Sequence, residues 1–234
     1  GVQTCALPIS IAAFGTEAQK EQFLKPLAGG KWLGGFALTE PQAGSDVGAL
    51  TSKADPLGDG SYAVSGQKIY ITWGDHACAE NIIHLVLARR PDAPEGNQGI
   101  SLFLVPKFLV NRDGSLGERN DVKPVGVEHK LGIHSSPTCT IAFGDNGGAV
   151  GYLVGEENKG LQCMFSMMNN ARLSVGHQGV AVGERAYQQA VGYARDRVQG
   201  RVSGVGAGQA QAGAGWCGWH RVAFLFGQAC ALRT

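Results

Sequence analysis

The hydrophobic pattern changes its period at Gly160, and that switch divides what most of the chain can fold into. Before it, short apolar runs are separated by Gly, Pro and Asn. Ser61–Thr72 alternates at Tyr62 and Val64, then runs Ile69-Tyr70-Ile71. It follows the turn Gly58-Asp59-Gly60, which is a hairpin signature. Ile82–Ala88, Ile100–Val105 and Thr138–Phe143 are further compact runs of strand type. So many short strands between Leu33 and Ala149 predict an antiparallel barrel or sandwich. After Gly160, the residues Leu161, Met164, Phe165, Met168 and Ala171/Arg172 recur at helical spacing. Val175, Val182, Ala186, Ala190 and Tyr193 continue the pattern, interrupted at Gly176, Gly179 and Gly183. That predicts one long helix, or two, opening an all-helical domain, with Met164, Met167 and Met168 as helix core. A shorter helical stretch, Thr16 to Leu27, precedes the β region. Thr16 can cap it, and Phe23, Leu24 and Leu27 form its apolar edge. The expected fold class is α+β: a middle antiparallel β domain flanked by helical segments.

The two ends read differently. Residues 1–9, GVQTCALPI, resemble a translated sequencing adapter and are expected to be non-native. Residues 202–234 are rich in Gly and Ala and lack periodicity where a helix should continue, so a frame-shifted or disordered tail is expected. The tail holds Gly213-Ala214-Gly215-Trp216-Cys217-Gly218, a literal G-x-G-x-x-G. It follows no predicted strand and opens no credible βαβ unit, so it is rejected as a dinucleotide fingerprint. Between these ends the expected divisions are a helical end at 10–32, the β domain at 33–152 and the helical start at 153–201.

Composition narrows the function classes. Apolar residues make up 44% and charged residues 17%, so a core can form. The net charge of +1 leaves no electrostatic footprint for nucleic acid. No apolar stretch is long enough to span a bilayer. Six cysteines form no Cys-x-x-Cys and suggest neither a disulfide framework nor a metal site. A reducing, cytoplasmic location is expected.

Two stretches carry chemistry. Phe36 to Asp46, FALTEPQAGSD, reads as a strand ending at Thr39 and then a Pro/Gly turn. Such a turn presents hydroxyls and backbone N–H groups, which suits a phosphate-bearing ligand. Gly66 to Gly74, GQKIYITWG, places Tyr70 and Thr72 two residues apart. In a regular strand they share a face and could floor a flat aromatic cofactor.

Together these stretches resemble the acyl-CoA dehydrogenase family, whose hallmark is a T-E-P-x-A-G-S-D turn followed by G-x-K-x-[aromatic]-I-T. Leu153-Val154-Gly155-Glu156-Glu157-Asn158-Lys159-Gly160 resembles the family's entry into its C-terminal helical domain. Asn169-Asn170-Ala171-Arg172 falls where the family has a D-x-x-R-type element. LTEPQAGSD, ITWGDH and EHKLGIHSSPT look most like the larger branch, which includes the 3-methylmercaptopropionyl-CoA dehydrogenases. The resemblance implies FAD as cofactor, acyl-CoA as substrate, an electron-transfer flavoprotein as acceptor and a homo-oligomer at full length. It implies that Phe36, Ala37, Leu38 and Thr39 line the isoalloxazine, with Thr39 hydrogen-bonding its pyrimidine side. Ser45 would bond a pyrophosphate oxygen and border the thioester path. Tyr70 would pack on the flavin, with Ile71 next to it, and Thr72 would bond near N5. Asn169 and Arg172 would contact the CoA portion. Tyr70 replaces a more usual Trp, Asn169 a usual Asp and Ala171 a usual hydroxyl residue. The family's catalytic Glu lies deep in the C-terminal domain. No position before Arg201 matches its motif, and 202–234 contains no Glu. No catalytic base is therefore assigned, and the chain is expected to be an inactive fragment. The alternative family member is an alkylation-response flavoprotein that also associates with DNA.

Overall fold

The computed structural model describes residues 2–197, so the expected tail at 202–234 lies outside the described residues. The chain divides into two units, residues 1–172 and 173–234.

In the first unit, α1 (Val2–Phe14) begins within the stretch expected to be adapter-derived. Leu7 and Ile11 of this helix are buried. Gly34 makes room for Leu7: a Cβ there would stand 2.5 Å from a Leu7 methyl. The stretch predicted from Thr16 opens as α2 (Glu17–Gln19) with a complete capping box. Thr16 Oγ1 accepts from Gln19 N at 3.2 Å, and Gln19 Oε1 accepts from Thr16 N at 3.0 Å. A π-turn over Lys20–Leu24 leads into α3 (Lys25–Ala28), and Phe23 and Leu27 face inward.

Ten strands follow: β1 (Leu33–Ala37), β2 (Lys53–Pro56), β3 (Tyr62–Thr72), β4 (Ile82–Arg89), β5 (Ile100–Pro106), β6 (Phe108–Val110), β7 (Leu116–Arg119), β8 (Val122–Val127), β9 (Thr138–Phe143) and β10 (Ala149–Val154). The main sheet runs β1-β4-β5-β10-β3-β9-β8, and β6 pairs with β7 alone. β2 pairs with β3 from Lys53↔Ser65 to Pro56↔Tyr62 and touches β4 at Lys53↔Arg89. Strands β4, β5, β10, β3 and β2 thereby close into a ring. Pairing is mostly antiparallel, as expected, but β1 runs parallel to β4 from Leu33↔Ile82 to Ala37↔Val86. A parallel pair needs a long crossover, which the intervening β2 and β3 supply.

The unbroken apolar runs of β4 and β5 reflect burial on both faces. Ile83, Leu85, Leu87, Ile100, Leu102 and Leu104 face one core, shared with the helices. Val86, Ala88, Phe103 and Val105, at the alternate positions, face a second core with Val64, Ile71, Ile141 and Phe143. Each such side chain contributes roughly 1.5–3 kcal/mol on burial.

Helix α4 (Gly160–Asp196) is a single helix and passes through Gly176, Gly179 and Gly183 unbroken. Those glycines weaken a helix by about 1 kcal/mol each without ending it. Within the first unit its start buries Cys163, Met164 and Met167 in the helix-side core. In the second unit, Leu173, Val175, Val180, Val182 and Tyr193 are exposed. Among the described residues, no helix is long and apolar enough to cross a membrane.

Candidate functional site

β1 delivers the chain into the Thr39–Ser45 turn. Its alternation splits the predicted lining residues. Phe36 and Leu38 are half-buried and pack on the helix-side core, whereas Ala37 is buried in the other core. Ala37 presents no surface of its own, side chain or backbone. The turn is closed by Glu40 N donating to Ala43 O at 2.9 Å and Ala43 N to Glu40 O at 3.1 Å. Beyond it Ser45 is exposed, and Asp46 Oδ1 accepts from Gly48 N at 3.1 Å to start a short 3-10 turn, Val47–Ala49.

The turn and β3 meet. Ile69 N donates to Thr39 O at 2.9 Å, so Thr39 lies beside the segment that carries Tyr70 and Thr72. A second link is buried and joins residues to which no role was assigned from sequence. Lys68 Nζ lies 2.8 Å from Glu40 Oε1, with side chains 0% and 2% exposed. Lys68 also donates to Leu38 O at 3.2 Å. Glu40 Oε1 accepts from Ser52 N at 3.1 Å and Ser52 Oγ at 2.6 Å. Its Oε2 accepts from Thr51 N at 2.7 Å, Thr51 Oγ1 at 2.8 Å and Gln42 Nε2 at 2.6 Å. Burial pushes the Glu40 carboxyl up, but the Lys68 ammonium and these donors outweigh it and hold the group at about 2. Burial presses the Lys68 ammonium below its ordinary value, and Glu40 opposes this. Gly66 completes the knot. Its φ is 136°, and a Cβ there would stand 2.4 Å from Ser52 Oγ. The G-x-K and T-E-P elements are thus one buried ion-pair network. A signal for it was legible: Lys68 shares the inward parity of Val64, and a lysine on that face requires a carboxylate.

The regular alternation of β3 breaks before Tyr70, not between Tyr70 and Thr72. Lys68 pairs with Ile141 but Ile71 pairs with Cys139, so β3 carries one extra residue. Tyr70 adopts φ 59°, a left-handed conformation, and absorbs the bulge. Lys68 and Ile71, three apart, are therefore both buried. Ile71, like Ala37, is buried as a whole residue. Tyr70 is 61% exposed and Thr72 is half-buried.

Asn169 and Arg172 lie on α4. Arg172 Nη1 donates to Asn169 Oδ1 at 2.7 Å, and the guanidinium stands 5.3 Å from the Phe165 ring centre. Among the described residues, no hydrogen bond or ion pair joins either to Thr39 or Ser45.

A second polar cluster follows β3. Asp75 pairs with Lys107 and, at 3.2 Å, with Arg119. Burial pushes the Asp75 carboxyl up, but these cations win and hold it below its usual range. His84 sits inside the β domain, its ring 5.7 Å from that of Phe143 and edge-on to it. Burial, aided by Lys107 and His76 and opposed by Asp75, pushes His84 down to about 4. Neither ring nitrogen has a partner among the described residues.

Residues 35–146 match the family described as acyl-CoA dehydrogenase, middle domain. A 3-methylmercaptopropionyl-CoA dehydrogenase of Ruegeria pomeroyi is 55% identical over 192 residues, covering 82% of this chain and 32% of the relative. A butyryl-CoA dehydrogenase of Syntrophomonas wolfei is 46% identical over 190 residues, covering 79% of this chain and 31% of the relative. The solved butyryl-CoA dehydrogenase of Megasphaera elsdenii aligns with a TM-score of 0.66 and 33% identity, over 97% of this chain and 51% of that one. This chain thus spans about a third of the length of these curated relatives. Its two signature segments, locked together through Glu40 and Lys68, place it in the acyl-CoA dehydrogenase family, whose middle domain it carries.

Proposed function

We propose that this chain forms the flavin- and thioester-facing part of an FAD-dependent enzyme that α,β-dehydrogenates acyl-CoA. The observation that carries the proposal is the junction of the two signature segments, through Ile69 N to Thr39 O and through Lys68 to Glu40. Tyr70 is largely exposed at this junction, and the Thr39 and Thr72 hydroxyls would stand near its ring. These groups fit a flavin: a flat ring would cover the Tyr70 face, and the two hydroxyls would meet its polar edge. Ser45, exposed past the turn, would meet a pyrophosphate oxygen. Phe36 and Leu38 would border the ring, and Ala37 and Ile71, both buried, would support the strands that carry it. When bound, FAD supplies the hydride acceptor. Asn169 and Arg172 would contact CoA from α4.

The 55% identical relative supports 3-methylmercaptopropionyl-CoA as the substrate. An electron-transfer flavoprotein as acceptor, a homo-oligomeric whole protein and a cytoplasmic location belong to the same proposal. A solved structure described as the electron transferring flavoprotein of Acidaminococcus fermentans is similar at 32% identity and a TM-score of 0.65. Removal of the substrate α-proton needs a base, and no residue of this chain is proposed for it.

Titration of FAD with the purified chain, read by flavin fluorescence, tests the site. Binding is expected to weaken about three- to tenfold in Tyr70→Ala, the scale of one aromatic contact. FAD affinity unchanged by both Tyr70→Ala and Thr39→Val would refute the site. No acyl-CoA turnover is expected from this chain with an artificial electron acceptor, and detectable turnover would overturn the missing-base part.

A further inference from the structure

The turn between β9 and β10 is Gly144-Asp145-Asn146-Gly147-Gly148, and it holds the one Asn-Gly step in the sequence. Asn146 and Gly147 are exposed. A Cβ on Gly147 would have nothing within 4 Å, so the approach to its backbone is open on that side. One carboxylate grips the asparagine. Asn146 N donates to Asp121 Oδ2 at 2.5 Å, and Asn146 Nδ2 donates to Asp121 Oδ1 at 2.9 Å. Gly144 N donates to Asp121 O at 2.8 Å. Asp121 N donates to Asn120 Oδ1 at 3.0 Å, and buried Asn120 reaches Pro106 O and Val150 O through Nδ2. The clasp therefore ties the turn to β5 and β10. It has little slack. Gly144 has φ 76°, and a Cβ there would stand 2.4 Å from Val64 O. A Cβ on Gly148 would stand 2.5 Å from that of Ala63. Both neighbours belong to β3, which pairs with β10 from Ala149↔Val64 to Gly151↔Tyr62.

We propose that Asn146 is a site of spontaneous deamidation restrained by Asp121, and that the isoaspartate formed there loosens the closure of β10 on β3. Gly147 N bonds to the Asn146 amide carbon, the Cγ–Nδ2 bond breaks, and ammonia leaves with the proton from Gly147 N. Water then opens the cyclic imide at either carbonyl and gives aspartate or isoaspartate, with no change of oxidation state. Glycine admits this ring because it has no Cβ to crowd the attacking nitrogen. The bond from Nδ2 to Asp121 must break as ammonia departs, so the charge-assisted clasp slows the step. The product reverses the sign of the contact. A carboxylate at 146 offers Asp121 no side-chain donor and repels it. The Lys123 ammonium is already paired with Asp145, at 2.9 Å. Isoaspartate also adds a carbon to the main chain, inside a turn that packs closely on Val64 and Ala63.

The intact chain is aged at mildly alkaline pH and its peptides are read by mass spectrometry. Methyl transfer by an isoaspartyl methyltransferase separates isoaspartate from aspartate. Asn146 is expected to convert at least about tenfold faster than Asn97 and Asn111, exposed asparagines followed by Gln98 and Arg112. Asp121→Ala should speed the conversion about tenfold further, the scale of one charge-assisted hydrogen bond. Asp121→Asn, which keeps the outline of the clasp without its charge, should fall between and serves if the alanine variant does not fold. Ageing should lower the urea midpoint of the parent chain and leave that of Asn146→Gln where it started, since the longer side chain does not close the ring. Conversion of Asn146 no faster than that of Asn97 and Asn111, or no faster in the folded Asp121 variants than in the parent, overturns the proposal. Isoaspartate that accumulates at 146 without moving the urea midpoint overturns the claim that it loosens β10.

Discussion

Glu40 and Lys68 show how one ion pair can hold two distant motifs together. Lys68 has no solvent contact, and its compensation is the Glu40 carboxylate with help from Leu38 O. A buried pair adds little net stability relative to apolar residues of the same shape, but a broken one leaves a bare charge inside. Glu40→Gln is therefore expected to destabilise the chain by about 3–5 kcal/mol, read as a lower urea midpoint. The double variant Glu40→Gln/Lys68→Met should recover most of that loss, because the stranded ammonium is gone. If the double variant is as unstable as the single one, the pair is not the origin of the effect. The donors on Glu40 show why the motif residues could be quoted from sequence without their role. Thr51, Ser52 and Gln42 reach the carboxylate only after the turn has folded back.

At the scale of elements, β3 is where period-2 reasoning succeeds and then fails. β3, β4, β5 and β9 lie within one or two residues of their predicted spans, because each buries alternating or continuous apolar residues. The bulge at Tyr70 had no such mark. A left-handed residue is usually signalled by Gly or Asn, and a Tyr between two isoleucines reads as plain strand. The left-handed backbone costs about 1–2 kcal/mol and exposes a large ring. That combination suits a position retained for a ligand. Tyr70→Gly should then raise the stability of the flavin-free chain by about 1 kcal/mol while weakening FAD binding. Urea melts without FAD, paired with flavin titrations, check both signs. A Tyr70→Gly chain that is less stable and binds FAD normally would remove the case for strain kept for function.

For the whole molecule, the legible part was the layered plan: helices, then a β domain, then a long helix from Gly160. The parallel β1–β4 pair was not legible, nor was which carboxylate the inward-facing Lys68 would meet, since both depend on which distant segments come together. Those buried charges govern how the chain responds to acid. His84 titrates near 4 when folded and near its ordinary 6.5 when unfolded. Between those values the unfolded chain binds more protons, so stability falls as pH falls. Glu40 lies lower, at about 2 folded against 4.5 unfolded, so its contribution is intact above 4.5 and lost on the way to 2. Asp75, held low by Lys107 and Arg119, adds to the second stage with the same sign. Each of the two larger shifts corresponds to on the order of 3 kcal/mol. Acid unfolding should therefore proceed in two stages, one below pH 6.5 assigned to His84 and one below pH 4.5 assigned to the carboxylates. His84→Leu replaces the ring among Val86, Phe143 and Ile71 with an apolar side chain. It should flatten stability between pH 6.5 and 4 and leave the lower stage in place. His76, also pushed down by its partial burial and by Lys107, stays behind as the internal check. Should the upper stage survive His84→Leu at full size and vanish in His76→Leu, the buried histidine inside the β domain is not the group that titrates.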